Sequence, residues 1–600
     1  MREVVGDVGE SRNWSLIALA NNEIRTDFPE EVIREAADAA VPDKQHHEDL
    51  THLPFVTIDP ATAKDHDDAV YAAPTDDGGW TVTVAIADVS WFVRPGTALD
   101  KEAEKRGNSV YLVDRVVPML PERLSNDLCS LKAGLARPAL CCEMQLDAGG
   151  AKKKHRFFRA MITSQAGLSY EEAQAAADGK PGKKAAPFVD RVITPLWAAY
   201  RAMQEARKRR PPLDLDMPER EIVLTKTGDV KGVKVKDRFD AHRLIEAMMV
   251  AANVCAAESL EKARRTLIYR VHDEPNPDRV DALREYLASI DYSLPKGQVL
   301  TPTAFNRILD KARERDQMDM ISMSILRTQS QAIYATKNVG HFGLYLTRYA
   351  HFTSPIRRYA DLTIHRALVA AHKMGPGGVR TDDEERLTKV ADYITTTERR
   401  AISAERETQD RFLAAYLQTE IGATFKARIG GVTRAGLFVT LDETGADGFV
   451  PMRTLWADHF EFDEDTQRLV GRHTGGIYRL SQPVDVKLIE ATPVSGGLRF
   501  EMITDPLEGD GDQPRGPRRA PRSKKRPLPK RGGSKPTPTK RTAKKGAAGS
   551  KTTKSKTTSK AAPTSAKKKS APAAGSSADG LTLKRRPRRN TSPTPKKKGR

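Results

Sequence analysis

The sequence predicts an α+β multidomain protein: a long segment of mixed sheet and helices, a small β-barrel and a disordered basic tail. Three observations predict it. The chain has 600 residues, too many for one ordinary core. The apolar pattern changes near residue 421, from long mixed runs to short alternating runs between glycine turns. The charge is also uneven. The whole chain is +20, but residues 511–600 hold 30 Lys+Arg against two acids, Asp512 and Asp579, so that segment is +28 and the other 510 residues are −8. The expected divisions are a connector over 1–50, the mixed segment over 51–415, the barrel over 421–504 and the tail over 511–600.

In the mixed segment, Trp80-Thr81-Val82-Thr83-Val84-Ala85-Ile86-Ala87-Asp88-Val89 alternates as a strand does. Helical periodicity marks Asp240 to Leu260, Val280 to Ser289, Ile321 to Thr336 and Asp382 to Glu420. No repeat of 20–50 residues is present. Beyond 421, five short β-rich pieces follow: Phe425–Ile429, Gly436–Leu441, Gly448–Pro451, Val484–Ile489 and Leu498–Met502. Five strands in so few residues point to an OB-type barrel or another small barrel with a structural role.

The tail is Lys, Arg, Pro, Ser, Thr, Ala and Gly, with no Trp, Tyr or Phe. It cannot offset chain entropy by burial, so disorder is expected. It reads either as a flexible arm for nucleic-acid phosphates or as a solubilising segment. No apolar run is long enough for a membrane helix, and Met1-Arg2-Glu3-Val4-Val5 lacks a secretory core. The four cysteines, Cys129, Cys141, Cys142 and Cys255, form no CxxC pair. A disulfide framework or structural zinc is therefore not expected, and a reducing cytoplasm fits.

Four aspartates fall within ten residues in Thr57-Ile58-Asp59-Pro60-Ala61-Thr62-Ala63-Lys64-Asp65-His66-Asp67-Asp68-Ala69-Val70. Pro60 ends one strand and a second begins near Ala69, which places Asp59, Asp65, Asp67 and Asp68 on a loop at a sheet edge. Converging carboxylates would protonate unless a cation neutralised them. Hard oxygen donors without thiols favour Mg²⁺ over zinc. A solvated acidic loop is the other reading. An EF-hand is excluded, because the glycine and glutamate its loop needs are missing.

The segment Tyr349-Ala350-His351-Phe352-Thr353-Ser354-Pro355-Ile356-Arg357-Arg358-Tyr359-Ala360-Asp361-Leu362 predicts a helix capped by Thr353 or Ser354, with Pro355 in its first turn. Arg357 and Arg358 would present phosphate-binding forks there. Tyr349, Phe352 and Tyr359 could stack on bases. A capped helix with surface arginines is the alternative. Metal loop and arginines together suggest phosphodiester hydrolysis.

Further passages have a specific order: Ile86 to Ser90, Ser109-Val110-Tyr111-Leu112, Val117-Pro118-Met119-Leu120-Pro121, Leu124 to Leu131, and His351 to His365. With the aspartate loop they resemble the ribonuclease II (RNB) family of exoribonucleases, and residues 421–504 resemble the S1-type RNA-binding domain that follows in it. The resemblance implies a cytoplasmic, monomeric, processive 3′→5′ exoribonuclease. It would use Mg²⁺ to release nucleoside 5′-monophosphates from single-stranded or 3′-tailed RNA, mRNA and rRNA included, in RNA decay and quality control. Ribosome contact through the tail is a further expectation. The resemblance implies that Asp59, Asp65, Asp67 and Asp68 hold metal, that Asp67 is most critical for cleavage and that Arg357 grips the scissile phosphate. Tyr111 would stack near the RNA end or be an ordinary half-buried strand tyrosine, Glu405 would approach that end or be a helix-surface acid, and Arg358 would be a further RNA contact. Phe438 and Phe449 would be stacking platforms on the barrel, or else part of its core. Two features depart from the family. Ala435 stands where an aromatic is common. Only about 50 residues precede the aspartate loop, where the family carries cold-shock-type domains; either they are missing or the start lies upstream.

Overall fold

The computed structural model describes residues 11–508 except 216, 298, 316, 380–382, 456–457 and 465. All lie within the first of two units, Met1–Arg518. The tail expected over 511–600 lies outside the described residues.

The strand Trp80–Ala87 is buried from Val82 to Ala87. Its alternation therefore separates two cores rather than core from water. Val82, Val84 and Ile86 pack with Leu196, Trp197, Leu244 and Met248. Ala85 and Ala87 face Leu99, Leu120, Leu124, Leu387 and Ile394. Burying each Val or Ile contributes about 1.5–3 kcal/mol. The sheet runs in the order Glu48–Asp49, Lys152–Ser169, Phe55–Asp59, Asp68–Pro74, Trp80–Ala87, Ala136–Leu146. The 18-residue strand Lys152–Ser169 also pairs with Ala136–Leu146, so the order closes on itself. Asp68 pairs with Ile86, and the end of Phe55–Asp59 lies beside the start of Asp68–Pro74. That is the edge on which the aspartate loop sits.

Helices cover both faces. Asp240–Lys262 buries Leu244, Met248, Ala252 and Cys255 at helical spacing. The 34-residue helix Glu384–Leu417 starts where the Asp383 side chain accepts from Arg386 N at 2.9 Å. It buries Leu387, Val390, Ala391, Ile394, Ala401 and Ala404 in succession. Its last turns contribute Leu413, Ala414 and Leu417 to the barrel core. One rigid rod thus serves both the mixed segment and the barrel.

The expected helix over Ile321–Thr336 is shorter: Met318–Leu326 is helical and Ile333–Ala335 is a strand paired with Tyr269–Val271. Thr328 Oγ1 and Gln329 Nε2 both donate to Ile325 O, at 2.7 and 3.2 Å. These side chains add to the Thr328 N–H on a carbonyl of the last turn, where the helix ends.

Beyond residue 421 a closed barrel forms from Thr424–Thr433, Gly436–Leu441, Asp447–Pro451, Gly497–Met502 and Pro483–Thr492. Gly436, at φ +148°, permits the tight corner: a Cβ there would lie 2.1 Å from Val450 O. A three-stranded sheet not anticipated from sequence, Phe460–Asp463, Arg468–Gly471 and Ile477–Arg479, is inserted before the last two barrel strands. Among the described residues, no helix is long and apolar enough to cross a membrane.

Candidate active site

The aspartate loop is pinned from outside itself. Ser130 Oγ donates to Lys64 O at 2.8 Å and accepts from His66 N at 3.1 Å. Leu131 N donates to His66 O at 3.0 Å, and Ala87 N donates to Asp67 O at 2.8 Å. The passage around Leu124–Leu131 therefore fixes the loop against the sheet.

Each carboxylate then meets a different partner. Asp59 Oδ2 lies 2.8 Å from His66 Nδ1. Asp65 Oδ2 accepts from Tyr111 OH at 2.9 Å. Asp67 Oδ1 accepts from Ile356 N at 2.9 Å, while its Oδ2 lies 3.6 Å from Arg357 Nε. The Oδ2 atoms of Asp67 and Asp68 are buried without a hydrogen-bond partner. Burial raises the Asp67 carboxyl well above the ordinary range, against the pull of Arg357. Burial first, and Asp59 second, push Asp68 up to about 8.

The segment Thr353–Arg358 is not the start of a helix. Residues 355–357 form a turn, and the helix runs Tyr359–Ala371. The Ile356 N–H that a helix start would leave free goes instead to Asp67, 289 positions away. Asp361, fully buried, holds the turn: its Oδ1 accepts from Ser354 N at 2.8 Å. Arg358 Nε and Nη2 both donate to Asp361 at 2.8 Å. Arg358 thus spends its fork inside the protein. The Arg357 side chain is 41% exposed, with Nη2 donating to Ser354 Oγ at 3.0 Å, and it faces the aspartates. Phe352 and Tyr359 are core residues and Tyr349 is nearly so, which removes the first two as stacking surfaces.

One cavity of about 490 Å³ gathers Asp59, Asp65, Asp67, Asp68, Tyr111 and Arg357. Tyr111 is 39% exposed, and its N–H donates to Glu405 Oε1 at 3.2 Å. A second cavity, of about 310 Å³, adjoins it and contains Glu405. Asn253 also lines the first cavity and was not singled out from sequence. Its Nδ2 donates to Tyr349 OH at 3.0 Å and its Oδ1 accepts from Phe352 N at 2.7 Å, which fixes the chain entering the Ser354 turn. A polar residue on the apolar stripe of Asp240–Lys262 was the available signal.

Among the described residues, no three His, Cys, Asp or Glu side chains stand together as a ready metal-binding group. Asp59 and Asp65 are drawn to His66 and Tyr111 instead. The two orphaned buried oxygens on Asp67 and Asp68 nevertheless fit a cation, and an all-carboxylate set fits a hard one.

On the barrel, Phe438 and Phe449 are direct cross-strand partners with ring centroids 5.1 Å apart. Phe438 is 48% exposed, whereas the core is built from Leu437, Val439, Leu441 and Val450. The pair is a surface aromatic patch.

Comparison with known proteins places these features in context. The RNB domain family matches residues 47–373 and the S1 RNA binding domain family matches residues 418–502. Ribonuclease R of Vibrio cholerae is 37% identical over 529 residues, covering 85% of this chain and 64% of that protein. Ribonuclease R of Aquifex aeolicus is 36% identical over 509 residues, covering 84% of this chain and 72% of that protein. The structure of Mycoplasma genitalium RNase R in complex with ribose-methylated single-stranded RNA superposes with a TM-score of 0.79 at 30% identity, over 84% of this chain and 79% of that one. The chain spans 63–64% of the length of the Vibrio and Escherichia coli relatives.

Proposed function

We propose, from the premise that this chain belongs to the RNB family, that it is a processive 3′→5′ exoribonuclease releasing nucleoside 5′-monophosphates from single-stranded or 3′-tailed RNA. The observation that carries this reading is the buried Oδ2 of Asp67 and of Asp68, neither with a hydrogen-bond partner, set in one cavity with Arg357. An acidic surface loop would leave its carboxylates to water. Here they are held out of water at an energetic cost that suits a site awaiting a cation and a phosphate.

Asp59, Asp65, Asp67 and Asp68 would hold Mg²⁺, which when bound lowers the pKa of water and stabilises charge on phosphorus. Arg357 binds the scissile phosphate, being the exposed guanidinium that faces the aspartates. Tyr111 offers its ring to the terminal nucleotides, oriented by Asp65 at its hydroxyl and Glu405 at its N–H. Asp361 and Asn253 act through others: they fix the turn that presents Arg357 and the Ile356 N–H. Phe438 and Phe449 offer stacking surfaces to incoming RNA. RNA decay in the cytoplasm, by a monomer whose basic tail contacts RNA and the ribosome, completes the reading.

A non-catalytic RNA-binding scaffold is the competing reading. Incubation with 3′-tailed RNA and Mg²⁺ separates the two: mononucleotides are expected, and binding without products supports the scaffold.

A further inference from the structure

We propose that Cys142 and Cys255 form a peroxide-reactive thiol pair, in which Cys255 attacks the oxidant and Cys142 then closes a disulfide onto it. The proposal does not depend on the exoribonuclease reading.

All four cysteines are free and buried, but they are divided between two cores. Cys141 and Cys142 are neighbours on the strand Ala136–Leu146, so their side chains point to opposite faces of the sheet. Cys141 joins Cys129 in the core on one face. Cys142 joins Cys255, from the helix Asp240–Lys262, in the core on the other. There the two sulfurs meet, and the Cys142 thiol donates a hydrogen bond to Cys255 Sγ.

Two further groups converge on the same sulfur. Lys152 Nζ donates to Cys255 Sγ at 3.5 Å, and the His155 ring hydrogen-bonds to it. Both come from the strand Lys152–Ser169, which pairs with Ala136–Leu146. Glu258, one turn beyond Cys255, pairs with Lys152 and lies 3.8 Å from His155 Nδ1, which keeps both groups over the sulfur. The Cys142 hydrogen bond first, then His155 and Lys152, hold the Cys255 thiol below its ordinary range against the effect of burial. Burial, and the bond it donates to Cys255, push Cys142 the other way. One sulfur is thus a thiolate and its neighbour a thiol, the division that thiol oxidation and exchange require. The Lys152, His155 and Glu258 side chains are themselves partly exposed, so Cys255 lies one side-chain layer from solvent.

Hydrogen peroxide, little larger than water, is the oxidant that fits. The Cys255 thiolate attacks one peroxide oxygen; an S–O bond forms, the O–O bond breaks, and hydroxide leaves and takes a proton from solvent. Cys255 is then a sulfenic acid. The Cys142 sulfur attacks the Cys255 sulfur; the S–S bond forms, the S–O bond breaks, and the hydroxyl leaves as water with the Cys142 proton. Two thiol groups are oxidised to one disulfide and one peroxide is reduced to two waters.

The full chain is treated with hydrogen peroxide, unfolded in urea with an alkylating agent and mapped by mass spectrometry. A Cys142–Cys255 disulfide is expected, with Cys129 and Cys141 left alkylated. Cys142→Ala should stop at the sulfenic acid on Cys255, trapped by dimedone. Lys152→Met should slow the oxidation of Cys255 roughly tenfold by withdrawing a cation from the thiolate. Cys255 oxidised no faster than Cys129 and Cys141 in the unmodified protein would overturn the proposal, a result that needs no variant to fold. So would sulfenic acid on Cys255 without a cross-link to Cys142, or an unchanged rate in Lys152→Met.

Discussion

The Ile356 N–H donates to Asp67 Oδ1 at 2.9 Å, which ties the aspartate loop to the arginine turn across 289 residues. This one bond accounts for two features of the site. It orients Asp67 so that its other oxygen is buried without a hydrogen-bond partner, 3.6 Å from Arg357 Nε. The buried carboxylates and the exposed guanidinium of Arg357 are thereby set in a fixed relation.

The support behind this bond can be tested at Asp361. Asp361→Ala removes the buried acceptor for Ser354 N and leaves half-buried Arg358 without its partner. A stability loss of about 3–5 kcal/mol is expected, as for other broken buried pairs, measured by urea unfolding. Asp361→Asn keeps part of the hydrogen bonding and should lose less. In both variants kcat should fall more than affinity for RNA, since the turn presents Arg357 without being the main RNA grip.

The carboxylate environment predicts a pH dependence. With Mg²⁺ chelated, Asp68 keeps its proton up to about pH 8 in the fold, whereas the unfolded chain releases it in the ordinary carboxylate range. The folded state then binds the extra proton, so this contribution to stability is lost as pH rises from about 4 to about 8. Asp68→Asn removes this share of the dependence and leaves that of Asp67, whose carboxyl is also raised by burial. The variant's melting temperature should match the parent's near pH 4 and exceed it at pH 8, by an amount equivalent to roughly 1 kcal/mol or more.

The barrel patch separates binding from folding. Phe438→Ala should weaken single-stranded RNA binding by about 1–3 kcal/mol, the range for a base–aromatic stack, with little change in stability. Leu437→Ala, one residue away on the core face, should cost about 2–5 kcal/mol of stability.

The tail carries +28 and belongs to the RNA-affinity side of the account. Deleting residues 511–600 should flatten the dependence of RNA affinity on salt and leave cleavage of short oligomers in place. A slope equal to that of the full chain would exclude the tail as an RNA arm.

Much of this architecture was legible in the sequence, and the exceptions have a common cause. The aspartate loop, the strand at Trp80 and the helices from Asp240 and Glu384 are written in local periodicity and in Pro60 as a strand terminator. The start of the helix after Pro355 was not, because the hydrogen bonds that hold residues 354–358 out of it come from Asp67 and Asp361. The same holds for Arg358, which reads as a surface phosphate ligand but meets Asp361 in the fold. Phe352 and Tyr359 read as stacking aromatics from their neighbours, yet lie between the sheet and its helices. Asn253 was hidden among apolar residues, and its role depends on Phe352 and Tyr349, about a hundred positions later. Local pattern thus reveals elements and residue chemistry, while long-range partners decide which charges remain free.

The most direct test of the central claim is product analysis of Asp67→Asn against the unmodified protein on 3′-tailed RNA with Mg²⁺. Asparagine can still accept from Ile356 N, so the fold and RNA binding should persist. The parent should release mononucleotides and the variant should be slower by at least about a hundredfold, the scale of losing one preorganised charge-stabilising group. Equal rates, or no mononucleotides from the parent, would contradict the account.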